Sequence, residues 1–281
     1  MKKRALLITG VAVWVMGTPA LAADLSFPPP IPEPVLPMVE TSNGGWYLRG
    51  DVGVGIEDYD GVNITFGTPP SVDFTRIQKS MNDKPIIGAG LGYQWNDFLR
   101  FDGTVDYRAA NSFSFTLADD VAAPNQGFNI YNGNHSAIVG LLNAYYDVGN
   151  FWGVLPFIGA GIGYGYHQVT GFHDVGAGES AGGFGIAEPQ SSGDLAWALH
   201  AGMDYEVNQN LKLEMSYRYL DQGTINLGDV TCFNSPGCTS DNFEMRDLAS
   251  HDLRVGMRWT FGEAPPPPPP PMMEAPVVRK Y

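Results

Sequence analysis

The stretch HDLRVGMRWTF, from His251 to Phe261, decides how the chain folds. Asp252, Arg254, Gly256, Arg258 and Thr260 share one parity; Leu253, Val255, Met257, Trp259 and Phe261 share the other. Side chains alternate across a β-strand, so the two sets lie on opposite faces. In a soluble sheet the apolar face covers a core and the polar face meets water. Here the polar face carries two arginines and an aspartate, and the apolar face ends in two aromatics. That division suits a strand whose apolar side meets lipid and whose charged side meets the inside of a barrel. An ordinary half-buried strand has the same pattern when taken alone, so the decision rests on repetition.

The pattern recurs. Residues 46–56 set Trp46, Leu48, Val52, Val54 and Ile56 against Tyr47, Arg49 and Asp51. Residues 85–95 set Ile87, Ala89, Leu91, Tyr93 and Trp95 against Gly88, Gly90, Gly92 and Gln94. In 98–108, Leu99, Phe101, Val105 and Tyr107 oppose Arg100, Asp102, Thr104, Asp106 and Arg108. The segments 136–148, 154–167, 194–207 and 211–220 alternate in the same way. With 251–261 these make eight strands, each near the length of about ten residues that crosses a bilayer at a tilt of about 45°. Their connections also alternate. Residues 96–97, 149–153 and 208–210 are short turns, whereas 57–84, 109–135, 168–193 and 221–250 are long. Short turns at one end and long loops at the other are expected of an all-β, eight-stranded antiparallel up-and-down transmembrane barrel. An even strand count returns both chain ends to the short-turn, periplasmic side.

The flanks fit an exported chain. Lys2, Lys3 and Arg4 precede an apolar run over 5–17, and Ala20-Leu21-Ala22 reads as a small-x-small cleavage site, so residues 1–22 are expected to be a signal peptide. The apolar run is too short to cross a bilayer as a helix, and no later stretch approaches the required length. A membrane-embedded mature chain must therefore be a barrel. Residues 23–44 form a proline-rich arm, 45–261 the barrel, and 262–281 a tail that opens with Pro265 to Pro271. Polyproline is stiff and extended, and the two arms are expected to reach into the periplasm. The net charge of −14 argues against a nucleic-acid partner.

Inward parity collects the charges. Arg49, Arg100, Arg108, Lys212, Arg218, Arg254 and Arg258 share it with Asp51, Asp102, Asp106, Asp147, Asp204, Glu206, Glu214 and Asp252. An eight-stranded barrel is just wide enough for side chains to fill, so these groups are expected to form a salt-bridged plug in preference to a pore lining. The long connections are acidic; Arg76, Lys79, Lys84 and Arg246 are their bases. Cys232 and Cys238 flank a Ser-Pro-Gly turn and, in an oxidising compartment, are expected to pair. His135, His167, His173 and His251 fall at or above the expected outer rim, at spacings that match no metal motif. Adjacent residues point to opposite faces, so His135 and Ser136 make no catalytic pair. There is no Gly-x-Ser-x-Gly, so neither enzyme activity nor a cofactor is expected.

Several of these stretches together carry a resemblance. The Ala23-Asp24 mature start, the proline-rich lead, GGWYLRGDVGVG (44–55), NAYYDVG (143–149), YRYLD (217–221) and RVGMRWTF (254–261) resemble the small outer-membrane β-barrel proteins of the porin family in alphaproteobacteria. The resemblance implies a barrel related to the OmpA transmembrane domain. Some members attach an Ala-Asp terminus to peptidoglycan, which maps to Ala23 and Asp24. Family barrels commonly stop at the terminal aromatic; here Phe261 is followed by the polyproline tail. The expected function is structural: a barrel supporting envelope integrity and tethering the outer membrane to peptidoglycan through its N-terminal arm. Outer-membrane lipid, lipopolysaccharide and the barrel-assembly machinery are the expected partners. A narrow porin, or a surface adhesin or haem-binding barrel, is the alternative.

Overall fold

The computed structural model describes residues 44–65, 75–118, 127–233 and 241–261. The signal and arm expected over 1–43, the tail and Cys238 lie outside them. The chain divides into Met1–Glu40 and Thr41–Tyr281, and every described residue belongs to the second unit. Thirteen strands follow in order: β1 Gly45–Asp58, β2 Gly61–Thr65, β3 Thr75–Met81, β4 Lys84–Gln94, β5 Leu99–Ala118, β6 Gly127–Asp147, β7 Val154–Gly178, β8 Phe184–Ala187, β9 Gln190–Glu206, β10 Leu211–Asp221, β11 Ile225–Cys232, β12 Asp241–Arg246 and β13 Ala249–Thr260.

Eight of them close a ring: β1–β4–β5–β6–β7–β9–β10–β13 and back to β1, every pair antiparallel. Closure leaves no strand edge unpaired, which lipid requires. The three short turns share one device. Asn96 Oδ1 accepts from the backbone N–H of Phe98 and Leu99, Asn150 Oδ1 from Gly153, and Asn208 Oδ1 from Asn210 and Leu211. Asparagine side chains mimic a backbone turn in this way. Outside, Trp46, Leu48, Val52, Val54 and Ile56 are all about half exposed. From Trp46 to Ile56 the strand rises about 33 Å, or about 25 Å along the normal at a tilt of about 40°, the height of a lipid-facing apolar band. Aromatics gird both ends. Trp46, Tyr93 and Trp95 touch edge-on at the short-turn end, and Trp197 meets Tyr219 at the other.

The long connections depart from expectation. They are not loops over most of their described length: β5, β6 and β7 run on past the membrane ring, at 20, 21 and 25 residues. There β3 adds to β5, β8 to β7, β11 to β8, β12 to β11 and β2 to β12. This second tier encloses its own apolar core, in which Phe113, Phe115, Tyr131, Phe172 and Phe243 stack at centroid distances of 4.9 to 6.4 Å. The tier inverts the polarity of the ring. Below, charge faces inward and apolar groups face out; above, Phe113, Phe115 and Leu117 face in while Ser112, Ser114 and Thr116 face out. The switch in β5 needs an odd residue, and a β-bulge between Arg108 and Asn111 supplies it. A second bulge, at Asn132/Asn134 against β7, lies beside Gly171, whose φ of 62° favours glycine. On β5 the apolar outward face of the ring suits lipid and the hydroxyl-bearing outward face of the tier suits water.

Candidate functional site

The barrel interior gathers the chemistry. Seven buried cations (Arg49, Lys84, Arg100, Arg108, Arg218, Arg254, Arg258) share it with eight buried carboxylates (Asp51, Glu57, Asp102, Asp106, Asp147, Asp204, Glu214, Asp252). Buried charge is tolerated when paired and hydrogen-bonded, and these groups pair in four levels.

At the short-turn level, Arg100 Nε donates to Asp147 at 3.1 Å, and its guanidinium lies over the rings of Tyr145 and Phe157 at 4.3 and 4.4 Å. Arg258 pairs with Asp204 and lies over Tyr47. One level up, Arg49 bridges Asp102 at 3.1 Å and Glu214 at 2.6 Å, and donates to the Tyr145 hydroxyl at 3.0 Å. Asn143 donates to Asp102 at 2.8 Å and to Thr104 at 3.1 Å. Above these, Arg254 reaches Asp51 through Nε at 2.8 Å and Asp106 at 2.7 Å. Arg218 spans Asp106 at 2.5 Å and Asp252 at 2.7 Å. Lys212 and Glu206 make a partly exposed pair at 2.9 Å.

Such wide side chains in so narrow a ring need room on other strands. The inward glycines provide it. A Cβ on Gly88 would lie 2.6 Å from Arg254 Nη2 and 2.8 Å from Asp51 Oδ1, so β4 stays bare where the arginine fork passes.

The uppermost level differs from the sequence reading. Glu57 and Lys84 were expected in a long outer connection, yet both are buried inside, paired at 2.8 Å. Arg108 binds the same Glu57 at 3.0 Å and also Asp252 at 3.0 Å. His135 and His167, expected at the rim, are interior: His135 Nδ1 contacts Lys84, and its Nε2 lies 3.0 Å from His167 Nδ1. The signal was present. Lys84 continues the inward parity of Ile86, Gly88 and Gly90, and Glu57 that of Asp51 and Gly55. Pro85 suggested a strand start, but it pairs with Val54 as the second residue of β4, where a proline is tolerated. The other two histidines of the rim set lie outward. His173 sits on the upper tier, and His251 shares a 2.6 Å contact with the Tyr217 hydroxyl. Among the described residues, no group of three or more His, Cys, Asp or Glu is placed to hold a metal. Cys232 ends β11, and Ala23 and Asp24 lie outside the described residues.

An uncharacterized protein of Brucella suis biovar 1 is 30% identical over 283 residues, covering 89% of this chain and 98% of the relative. Outer membrane protein PagN of Salmonella typhimurium is 24% identical, covering 77% and 90%. Among solved structures, the outer membrane protein OprG of Pseudomonas aeruginosa aligns with a TM-score of 0.46 at 14% identity, covering 78% of this chain and 97% of that one. The outer membrane protein beta-barrel domain matches residues 14–261, so the chain belongs to that outer-membrane β-barrel family.

Proposed function

We propose that the protein is a structural barrel that supports the integrity of the outer membrane and does not conduct solutes. The ion-paired interior carries this reading: seven cations and eight carboxylates fill a ring of eight strands, beneath an apolar upper core. A water-filled path would have to break several of these pairs at once, each costly to part when buried. Outer-membrane lipid, lipopolysaccharide and the barrel-assembly machinery are the partners this role entails. The test is planar-bilayer recording of the refolded protein. No stepwise conductance is expected; reproducible unitary steps would replace this reading with a narrow porin.

The flanking segments complete the proposal. Cleavage after Ala22 exposes Ala23-Asp24, and the proline-rich arm carries that terminus to the cell wall, as the family resemblance suggests. Boiling envelopes in detergent and digesting the purified peptidoglycan should release a fragment that begins at Ala23. A fully extractable protein with a free Ala23 amine removes the covalent tether. Cys232 and Cys238 are proposed to close a short surface loop. Cys238→Ser should leave the heat-dependent gel mobility of the folded barrel intact, because such a bridge orders the loop alone.

A further inference from the structure

The outward face of the upper tier holds a cavity of about 270 Å³ that has no part in the sealed interior. Two ladder rows build it. Ser80 pairs with Ser114, Ser114 with Asn132 and Asn132 with His173. Beneath them, Ser112 pairs with Asn134 and donates to its Oδ1 at 3.0 Å, with Asn82 beside them. Phe113 and Gly133 supply the floor. A Cβ on Gly133 would lie 2.6 Å from Phe113 Cζ, so glycine there leaves room for the Phe113 ring in the core behind that floor. The β6–β7 bulge and Gly171 fold the rim.

The chemistry of the lining selects its ligand. No Asp, Glu, Lys or Arg lines the cavity, although the chain as a whole is strongly acidic. Phosphate or sulfate recognition calls for arginine forks, and a divalent cation calls for carboxylates. Amides and hydroxyls donate and accept at once, which matches a ligand whose hydroxyls do the same. His173 Nδ1–H donates to the Gly171 carbonyl at 2.8 Å, leaving Nε2 as an acceptor. The volume lies just under the usual range of about 300–1,000 Å³ for drug-sized ligands, which fits one sugar unit of a longer chain.

Position selects the source. On β7, Thr170 and His173 lie four and seven residues beyond Tyr166, an outward-facing, half-exposed aromatic of the ring. At about 3.3 Å per residue and a tilt of about 40°, the cavity stands roughly 10–18 Å above the lipid band. It faces sideways, along the membrane, into the saccharide layer of an outer-leaflet glycolipid. We propose that this cavity binds a neutral sugar of the membrane's own lipopolysaccharide core. The proposal rests on the structural reading above only for the lipopolysaccharide partnership; a conducting barrel would leave it untouched.

The experiment uses the full chain refolded in phospholipid nanodiscs. The probes are the delipidated core oligosaccharide of rough lipopolysaccharide, lipid A alone, and inorganic phosphate. Saturation-transfer NMR should show the oligosaccharide bound, with no competition from phosphate. The double variant Asn132→Leu/Asn134→Leu should weaken binding at least about tenfold, the loss of two or more hydrogen bonds. Heat-dependent mobility verifies folding, and Ser114→Val, smaller in its disturbance, replaces the double variant if that one fails to fold. Gln78→Leu, on the same face outside the cavity, should bind as the parent does. Unchanged affinity in folded cavity variants, binding of lipid A but not of the oligosaccharide, or displacement by phosphate overturns the proposal.

Discussion

Asp106→Leu tests the paired interior most directly. The Asp106 carboxylate is fully buried and holds two guanidiniums, Arg218 at 2.5 Å and Arg254 at 2.7 Å. Removing one partner of a buried ion pair costs about 3–5 kcal/mol, because the remaining charge stays out of water. Each arginine keeps a second carboxylate, Asp252 for Arg218 at 2.7 Å and Asp51 for Arg254 at 2.8 Å. The expected loss is therefore at the lower end, about 3 kcal/mol. Val105, the preceding residue, faces outward and is 58% exposed. Val105→Leu there should change stability by no more than about 0.5 kcal/mol. The double variant Asp106→Leu/Arg218→Leu removes both charges and leaves Asp252 on Arg108 at 3.0 Å. Its cost should fall short of the sum of the two single variants by about 1–3 kcal/mol, the coupling expected of touching residues. Urea unfolding in lipid vesicles, followed by tryptophan fluorescence and gel mobility, measures the parent, Val105→Leu, the two single variants and the double variant. Asp106→Leu matching Val105→Leu, or a strictly additive double variant, would refute the argument.

Three further outcomes follow from the same geometry. Leu213→Arg places a charge on the lipid face and should cost about 2–4 kcal/mol near the midplane by vesicle unfolding, whereas a charge is already held at the neighbouring Lys212. Phe172→Ala opens the core of the upper tier and should cost about 3–5 kcal/mol there; limited proteolysis should then cut the outer strands while the membrane ring keeps its heat-resistant mobility. Burial holds the Asp174 carboxyl of the upper tier above the usual carboxylate range. Its proton is bound more tightly in the folded tier than in the unfolded chain, so this contribution is full at low pH and fades as pH rises through the raised value. Asp174→Asn should flatten that dependence in a proteolysis series across the acidic range; an unchanged slope would count against it.

Much of this architecture is legible in the residues themselves. Period-two alternation from Trp46 to Phe261 defines the eight ring strands and their facing, because a one-residue slip would carry charge into lipid. Arg218 opposite Tyr217 and Arg254 opposite Leu253 need no partner to declare their sides. The short turns announce themselves through Asn96, Asn150 and Asn208. What the sequence does not declare is where the lipid ends. SFSFTL, residues 112–117, alternates as clearly as any ring strand, but its apolar parity points inward. The period records two faces and not which solvent each one meets. Only the bulge at Arg108/Asn111, which depends on pairing with β6, reverses the assignment. The same long-range pairing turns the expected loops into a second tier and draws Glu57, Lys84, His135 and His167 from the rim into the interior. Partner choice also lies beyond parity. That Arg218 bridges Asp106 and Asp252, 112 and 34 residues away, is decided by ring closure, which brings strands remote in the chain to facing walls of one narrow space.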